Sequence, residues 1–157
     1  MNDLELAQVL ANAADEISLS RYRALDLKIE AKPDRTPVTD ADRAVEQKLR
    51  DLLKLYRPAD SVIGEEFENT GDSQRAWIID PIDGTANYLR GVPIWATLIA
   101  LRVDGELVAS VVSAPALSRR WWAASGKGAF TRDIDGTVRK LAVSGISELA
   151  DATLSFN

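Results

Sequence analysis

The sequence predicts an α+β fold in which two N-terminal helices pack on a mostly antiparallel sheet. Apolar residues recur at helical spacing over the first third of the chain. Beyond Pro58 the pattern changes to short apolar runs separated by turn residues, which is typical of strands joined by hairpins. The length of 157 residues fits one domain with a substantial hydrophobic core.

The first helix is predicted over residues 4–25, where apolar side chains return every three or four positions. Asp3 is a suitable N-cap for it. Residues 28–37 carry two prolines and mixed charge and therefore predict a mobile loop. Lys32 in this loop could reach a phosphate or an acidic group, but a lysine in such a place is expected to be solvated.

The second helix is predicted to start at Thr39 and to end at Pro58. Thr39 and Asp42 resemble a capping box with Asp in place of Glu, so capping alone could account for Asp42. Asp104-Gly105 predicts a hairpin turn between two apolar runs. Trp121 and Trp122 should lie on opposite faces of a strand, one in the core and one exposed or at an interface. Strands are expected near residues 61–63, 76–79, 94–103, 107–114, 120–124 and 138–143, and another should begin at residue 151.

Composition removes several classes of function. The chain has no cysteine and no histidine, which excludes disulfides, thiolate catalysis, zinc sites of the usual ligand types and a Ser-His-Asp triad. With 19 basic and 24 acidic residues the net charge is −5, so we expect no binding to nucleic acid or to anionic membranes. The N-terminus lacks the pattern of a signal peptide, and no apolar stretch approaches the ~20 residues that span a bilayer. We therefore expect a cytoplasmic protein.

The most informative segment is residues 80–88, Asp-Pro-Ile-Asp-Gly-Thr-Ala-Asn-Tyr, which directly follows an apolar run. Asp80 and Asp83 place two carboxylates where a strand ends, and Mg²⁺ takes such ligands together with water and phosphate. Gly84 allows a sharp turn whose following N–H groups can face a phosphate. The pattern indicates a two-metal phosphate site, although Asp-Pro and Asp-Gly also occur in ordinary turns.

A second acidic cluster, Gly64-Glu65-Glu66, follows the apolar run 61–63. Two strand ends that both deliver carboxylates suggest one shared site. Taken alone, a Glu-Glu pair is more often part of a solvated loop, and Glu66 is expected to be a solvated neighbour rather than a ligand.

These motifs together resemble the inositol monophosphatase-like family of Mg²⁺-dependent phosphatases. Residues 64–66 and 80–88 resemble its metal motif, and residues 37–42, Pro-Val-Thr-Asp-Ala-Asp, resemble its upstream acidic element. Residues 90–96, 113–117 and 119–130 are most similar to the histidinol-phosphatase branch of actinobacterial type. The resemblance covers essentially the whole chain.

The resemblance implies roles for seven residues. The implied metal ligands are Glu65, Asp80, the backbone carbonyl of Ile82, and Asp83. The implied catalytic residues are Glu65 and Thr85, which would orient the attacking water, and Asp42, which would hold a water or a third ion. The implied phosphate-binding residues are Asp83, Gly84 and Thr85.

The resemblance also implies an inositol monophosphatase-like fold that lacks its C-terminal αβ half. Residues 1–150 would be the metal- and phosphate-binding domain, and residues 151–157 the first strand of the missing half, which in the family carries a Trp-Asp motif. We expect a Mg²⁺-dependent phosphomonoesterase for histidinol phosphate, with weak or no turnover by these residues alone. The alternatives are an inositol- or sugar-phosphate phosphatase and a non-catalytic interaction module. Exposed apolar sheet surface further predicts a homo-oligomer.

Overall fold

The computed structural model describes residues 1–33 and 36–154. It confirms the α+β class, with two long helices and a seven-stranded sheet that is mostly antiparallel. None of the helices in the described part is long and apolar enough to cross a membrane. In chain order the elements are α1 (Asp3–Arg21), β1 (Ile29–Ala31), β2 (Pro37–Thr39), α2 (Asp40–Tyr56), β3 (Ser61–Ile63), β4 (Arg75–Asp83), α3 (Thr85–Leu89), β5 (Ala96–Val103), β6 (Glu106–Ala114), β7 (Arg119–Ala124), β8 (Gly128–Arg132) and β9 (Val138–Leu141).

Helix α1 differs from its prediction at both ends. Its N-cap is Asn2 rather than Asp3, because Asn2 and Glu5 exchange side-chain to backbone hydrogen bonds of 2.9 Å each in a capping box. The helix ends at Arg21, four residues earlier than predicted. The reason is local backbone geometry, since Arg23 adopts a left-handed conformation with φ of 62° that no helix can continue through.

Helix α2 begins as predicted, with Thr39 as N-cap and Asp42 completing a capping box. The segment before it was predicted to be a loop, and this was wrong. Strands β1 and β2 form an antiparallel hairpin that pairs Ile29 with Thr39, and residues 34 and 35 between them lie outside the described part. The two strands lie close together in the sequence, and their backbone pairing outweighs the local signal of prolines and charges.

The large sheet runs in the order β3-β4-β5-β6-β7-β8-β9. Neighbouring strands are antiparallel except for β3 and β4, which are parallel. Strand β8 was not predicted, because its short sequence gains order mainly by pairing with β7. The strand predicted from residue 151 is not seen, since residues 149–151 form a 3-10 turn and 152–154 have no regular structure. Residues 155–157 lie outside the described part, and the domain division at residue 150 stays a prediction.

The main core lies between the two long helices and one face of the sheet. Each of its large side chains stabilises the fold by about 1.5–3 kcal/mol through burial. Trp122 packs on this core and stacks on Phe130 at 6.1 Å, while strand alternation turns Trp121 to the opposite face. The largest core residues are Leu6, Leu10, Val45, Leu49, Leu53, Trp77, Ile79, Ile99, Leu101 and Val111.

A smaller cluster lies beneath the short helix α3 and links it to both long helices. Tyr88 and Trp95 meet edge to face at 4.9 Å and pack with Ala41 and Ile82. The Tyr88 hydroxyl donates a hydrogen bond of 2.8 Å to the carbonyl of Ser18 on α1. This cluster fixes the turn between β4 and α3, which carries most of the predicted site.

A buried ionic network attaches α1 to strand β7. Arg120, only 3% exposed, donates to Asp15 at 2.5 Å, to Asn12 at 2.7 Å and to Gln8 at 2.9 Å, all on α1. Its Nε also donates to the Ser113 hydroxyl at 3.0 Å. A buried guanidinium with several good partners is tolerated, but its partners become costly when it is removed.

We expect Arg120→Ala to lower the free energy of unfolding by about 2–4 kcal/mol, because it removes a buried side chain and leaves the half-buried Asp15 carboxylate without its ion partner. Urea denaturation followed by circular dichroism measures this. Arg139→Ala is the control, since Arg139 pairs with Asp133 at the surface and its removal should hardly move the midpoint. Equal losses in the two variants would contradict the assignment of the buried network.

Candidate functional site

The parallel pairing of β3 and β4 brings two acidic residues to one edge of the sheet. Ile63 is paired with Ile78 at the end of β3. Glu65 follows Ile63 by two residues, and Asp80 follows Ile78 by two residues. Both line the same cleft, so the sequence prediction that the two strand ends share one site is supported by their placement.

A β-bulge sets the direction of the residues that follow Asp80. The ladder between β4 and β5 shifts register between Asp80 and Asp83. Pro81 has no N–H to give to a ladder, and its carbonyl accepts a hydrogen bond of 2.8 Å from the Thr97 hydroxyl instead. As a result Ile82 is buried in the smaller core cluster, while Asp83 is exposed at the cleft.

Gly84 makes the turn from the bulge into helix α3. Its φ is 86°, and a Cβ there would lie 3.1 Å from the carbonyl oxygen of Ile94, so any other residue would be strained. The first N–H groups of a helix have no partner within it. Gly84, Thr85 and Ala86 all line the cleft, which is the placement that the phosphate-binding prediction requires.

The cleft has a volume of about 500 Å³. Six of the seven predicted site residues lie on its walls, and Asp42 lies beneath them. Its lining residues are Lys32, Thr36, Pro37, Glu65, Asp80, Ile82, Asp83, Gly84, Thr85 and Ala86.

Asp42 both caps α2 and contacts the site. Its Oδ2 accepts hydrogen bonds from the backbone N–H and the hydroxyl of Thr39 at 2.8 and 2.5 Å. Its Oδ1 lies 3.2 Å from the Thr85 hydroxyl, which is also 3.0 Å from the carbonyl oxygen of Ile82. Burial raises the pKa of Asp42 against the opposing effect of the Thr39 hydrogen bonds. Capping is therefore not its sole contact.

Lys32 reaches two acidic residues, which was one of its two predicted possibilities, and the expectation that it is solvated was wrong. Its Nζ is 2.6 Å from Glu65 Oε1 and 2.8 Å from Glu66 Oε1. Burial opposes the charge on Lys32, but hydrogen bonds to the two carboxylates outweigh it and raise its pKa. The prediction that Glu66 is solvated was also wrong, because its side chain is only 4% exposed, against 45% for Glu65.

Asp80 is the most strongly perturbed acid of the cleft. Burial, followed by the charges of Glu65 and Asp83, raises the pKa of Asp80 to about 8. Its Oδ1 is buried and has no hydrogen-bond partner within residues 1–33 and 36–154. A buried carboxylate oxygen without a partner beside other carboxylates is a donor set that fits a hard divalent cation.

The acidic side chains of the described cleft do not converge on a single point. In the described ranges, no group of three or more Asp, Glu, His or Cys side chains is placed to hold a metal ion. Glu65 instead contacts Lys32. The predicted ligands thus share the cleft, and their joint coordination of an ion stays a prediction.

Sequence reasoning missed Glu46, which accepts hydrogen bonds from the backbone N–H groups of Glu65 and Glu66 at 3.0 and 2.8 Å. The available signal was an acidic residue one helical turn after Asp42, on the same face of α2.

The raised pKa of Asp80 predicts how the metal-free protein responds to pH. The folded state holds the proton up to about pH 8, while the unfolded chain loses it near the ordinary value of 3.8. Asp80 therefore contributes its full stability below the unfolded-state pKa of 3.8. This contribution falls as the pH rises and is lost once the pH passes the folded-state pKa of about 8. In EDTA, we expect Asp80→Asn to be more stable than the wild type by roughly 1–3 kcal/mol at about pH 9, with the gap closing towards about pH 5.

Urea denaturation of both proteins across this pH range measures the gap. Stability curves that run parallel from acid to alkaline pH would contradict the burial of a protonated Asp80.

Comparison with known proteins identifies relatives over the full chain. The Inositol monophosphatase family matches residues 2–155. The chain is 57% identical to a histidinol-phosphatase of Mycobacterium tuberculosis, over 99% of the chain and 60% of the relative. It is 53% identical to a histidinol-phosphatase of Streptomyces coelicolor, over 100% of the chain and 60% of the relative. An inositol-1-monophosphatase of Rhizobium meliloti is 34% identical, over 95% and 55%. The chain thus spans about 60% of the length of the two histidinol-phosphatases.

Solved structures agree with this result. The extragenic suppressor protein suhB of Bartonella henselae superposes with a TM-score of 0.82 at 33% identity, over 90% of this chain and 54% of that one. An IMPase of Thermotoga maritima gives the same TM-score of 0.82 at 29% identity, over 92% of this chain and 55% of that one. The match over nearly every residue, together with the bulged acidic turn, leads to one conclusion: the chain belongs to the inositol monophosphatase family.

Proposed function

We propose that this chain carries the metal and phosphate site of a Mg²⁺-dependent phosphomonoesterase that hydrolyses histidinol phosphate to histidinol and phosphate. The observation that carries the proposal is that Glu65, just beyond the end of β3, and Asp80, at the bulge of the parallel strand β4, line one cleft. Membership of a phosphatase family supports the reaction class. The higher identity to histidinol-phosphatases than to an inositol-1-monophosphatase supports the substrate.

The residues of the cleft fit magnesium as the cofactor. Glu65, Asp80 and the carbonyl of Ile82 would hold one ion, and Asp80 with Asp83 a second. All are oxygen donors, which Mg²⁺ prefers. Bound Mg²⁺ would neutralise phosphate charge and make a water easier to deprotonate, so that the chemistry needs no histidine.

The chain's own side chains would position the reactants. The Thr85 hydroxyl, held by Asp42, would orient the attacking water together with Glu65. The N–H groups of Gly84 and Thr85 would hold phosphate oxygens at the start of α3. The water oxygen forms a bond to phosphorus, the ester P–O bond breaks, and the alcohol leaves with a proton. Positioning and charge neutralisation supply most of the catalysis in such a transfer.

The experiments below distinguish the proposed function from two alternatives. The same chemistry could act on an inositol phosphate or a sugar phosphate, because the present residues form the phosphate side of the cleft rather than a wall around the leaving group. The chain could instead be a non-catalytic interaction module, in which the ion pairs of Lys32 with Glu65 and Glu66 stabilise the cleft.

Magnesium binding is tested first, by thermal unfolding with increasing Mg²⁺. A ligand that binds only the folded state stabilises it, by about 2.7 kcal/mol at a concentration 100 times the Kd. We expect the midpoint to rise with Mg²⁺ in the wild type and to stay constant in Asp80→Asn. Asp104→Asn is the matched control, because Asp104 sits in the β5–β6 turn with a φ of 50° that Asn tolerates.

Phosphate release from histidinol phosphate, inositol 1-phosphate and a sugar phosphate then tests the reaction. We expect any release to require Mg²⁺, to be highest for histidinol phosphate and to vanish in Asp80→Asn. Release that persists in EDTA and in that variant would rule out the mechanism. No Mg²⁺-dependent rise in the midpoint would favour the interaction module.

We also propose that the chain self-associates, and that it acts in the cytoplasm without nucleic-acid or membrane partners. Helices α1 and α2 cover one face of the large sheet. Strand alternation places apolar, half-buried side chains on the other face, among them Ile78, Leu98, Ala100, Val112 and Trp121.

A contiguous apolar face of this kind favours association. Light scattering at micromolar concentration is expected to give a mass of a dimer or larger, and Leu98→Lys should shift it towards the monomer. A wild-type mass equal to that of one chain would contradict self-association.

A further inference from the structure

We propose that Glu46 is a positioning residue that fixes Glu65 in the cleft and thereby sets its affinity for Mg²⁺. The inference rests on the proposed function, because it concerns the same site. Glu46 lies on α2, is fully buried and does not line the cleft. Its effect must therefore pass through the turn that carries Glu65.

The Glu46 carboxylate is the hydrogen-bond acceptor for that turn. Its Oε2 accepts from the backbone N–H groups of Glu65 at 3.0 Å and Glu66 at 2.8 Å, and its Oε1 from that of Phe67 at 3.3 Å. Three successive N–H groups thus converge on one carboxylate. Bonds to an ionised acceptor are stronger than those between neutral groups, so the backbone of Glu65 is held firmly.

Arg50 anchors Glu46 from the same helix. Its Nε donates to Glu46 Oε1 at 2.8 Å, and its Nη2 donates to the carbonyl of Phe67 at 3.2 Å. The guanidinium therefore pairs with the carboxylate and also holds the far end of the turn. The buried charge of Glu46 is thus balanced by Arg50 and by the three N–H groups of the turn.

Gly64 provides the space for this contact. A Cβ at position 64 would lie 1.9 Å from Glu46 Oε1 and 2.8 Å from Arg50 Nη2. The glycine of the Gly64-Glu65-Glu66 motif is thus required by the close approach of Glu46. The motif and the buried acid form one structural unit, although 18 positions separate residues 46 and 64.

One helix supports both sides of the cleft. Asp42 and Glu46 are four residues apart and so lie on the same face of α2. Asp42 contacts Thr85, and Glu46 holds the backbone of Glu65. Residues that orient metal ligands through hydrogen bonds change metal affinity by about 10–100-fold when they are replaced. This range sets the effect expected for Glu46.

The test is the Kd for Mg²⁺, measured by isothermal titration calorimetry on the whole chain, alongside the thermal midpoint. Glu46→Gln keeps the shape of the side chain and removes its charge. We expect it to weaken Mg²⁺ binding by about 10-fold or more. The matched control is Asp60→Asn, at the opposite end of β3, where Asp60 accepts from Arg75 at 3.1 Å and Trp77 at 2.9 Å. It should lower the thermal midpoint and leave the Kd unchanged.

A Glu46→Gln variant that loses thermal stability but keeps the wild-type Kd would overturn the inference and leave the proposed function standing. A wild-type chain that binds no Mg²⁺ would overturn both. Should Glu46→Gln fail to fold, Arg50→Gln decides the question, because it keeps the Glu46 carboxylate and removes its anchor, together with the hydrogen bond to the Phe67 carbonyl. A Kd weakened several-fold there supports the inference, and an unchanged Kd overturns it.

Discussion

The parallel pairing of β3 with β4 is the constraint on which the site depends. It is the one place in the described sheet where two chain segments leave the same edge in the same direction, and both segments continue into acidic residues. Carboxylates brought together in this way repel one another, and burial of Asp80 adds to the cost. The fold therefore holds these groups in an arrangement that additional positive charge would stabilise.

The surrounding structure supplies the rigidity that this arrangement needs. Helix α2 supports the site twice, through Asp42 below Thr85 and through Glu46 behind the turn of Glu65. The aromatic cluster of Tyr88 and Trp95 fixes the start of α3 from beneath. The buried network of Arg120 attaches α1 to the sheet at a distance from the cleft. Each support is a buried polar or aromatic contact whose geometry is fully specified, which suits a site that must hold its ligands in place.

Lys32 compensates part of the negative charge of the acidic cleft. Its ammonium group contacts both Glu65 and Glu66, and it reaches them from the hairpin that precedes α2. A lysine is a compact charge on a flexible stem, so one side chain can pair with both carboxylates. The Lys32 ammonium group therefore lies beside Glu65, the residue that the proposed function assigns to Mg²⁺.

Several local features of this protein can be predicted from its sequence. The capping box of Thr39 and Asp42, the turn at Gly84, the alternation of the strands and the motif that resembles the inositol monophosphatase family all depend on neighbours within a few residues. Other features depend on contacts that form only in the folded chain. The burial of Glu66, the contact of Lys32 with the acidic residues and the hydrogen bonds that the turn at Glu65 donates to Glu46 each join segments far apart in the chain. The hairpin of β1 and β2 and strand β8 are local in the sequence, but backbone pairing rather than residue pattern defines them. Their free energy comes from pairing and burial, which no local pattern encodes.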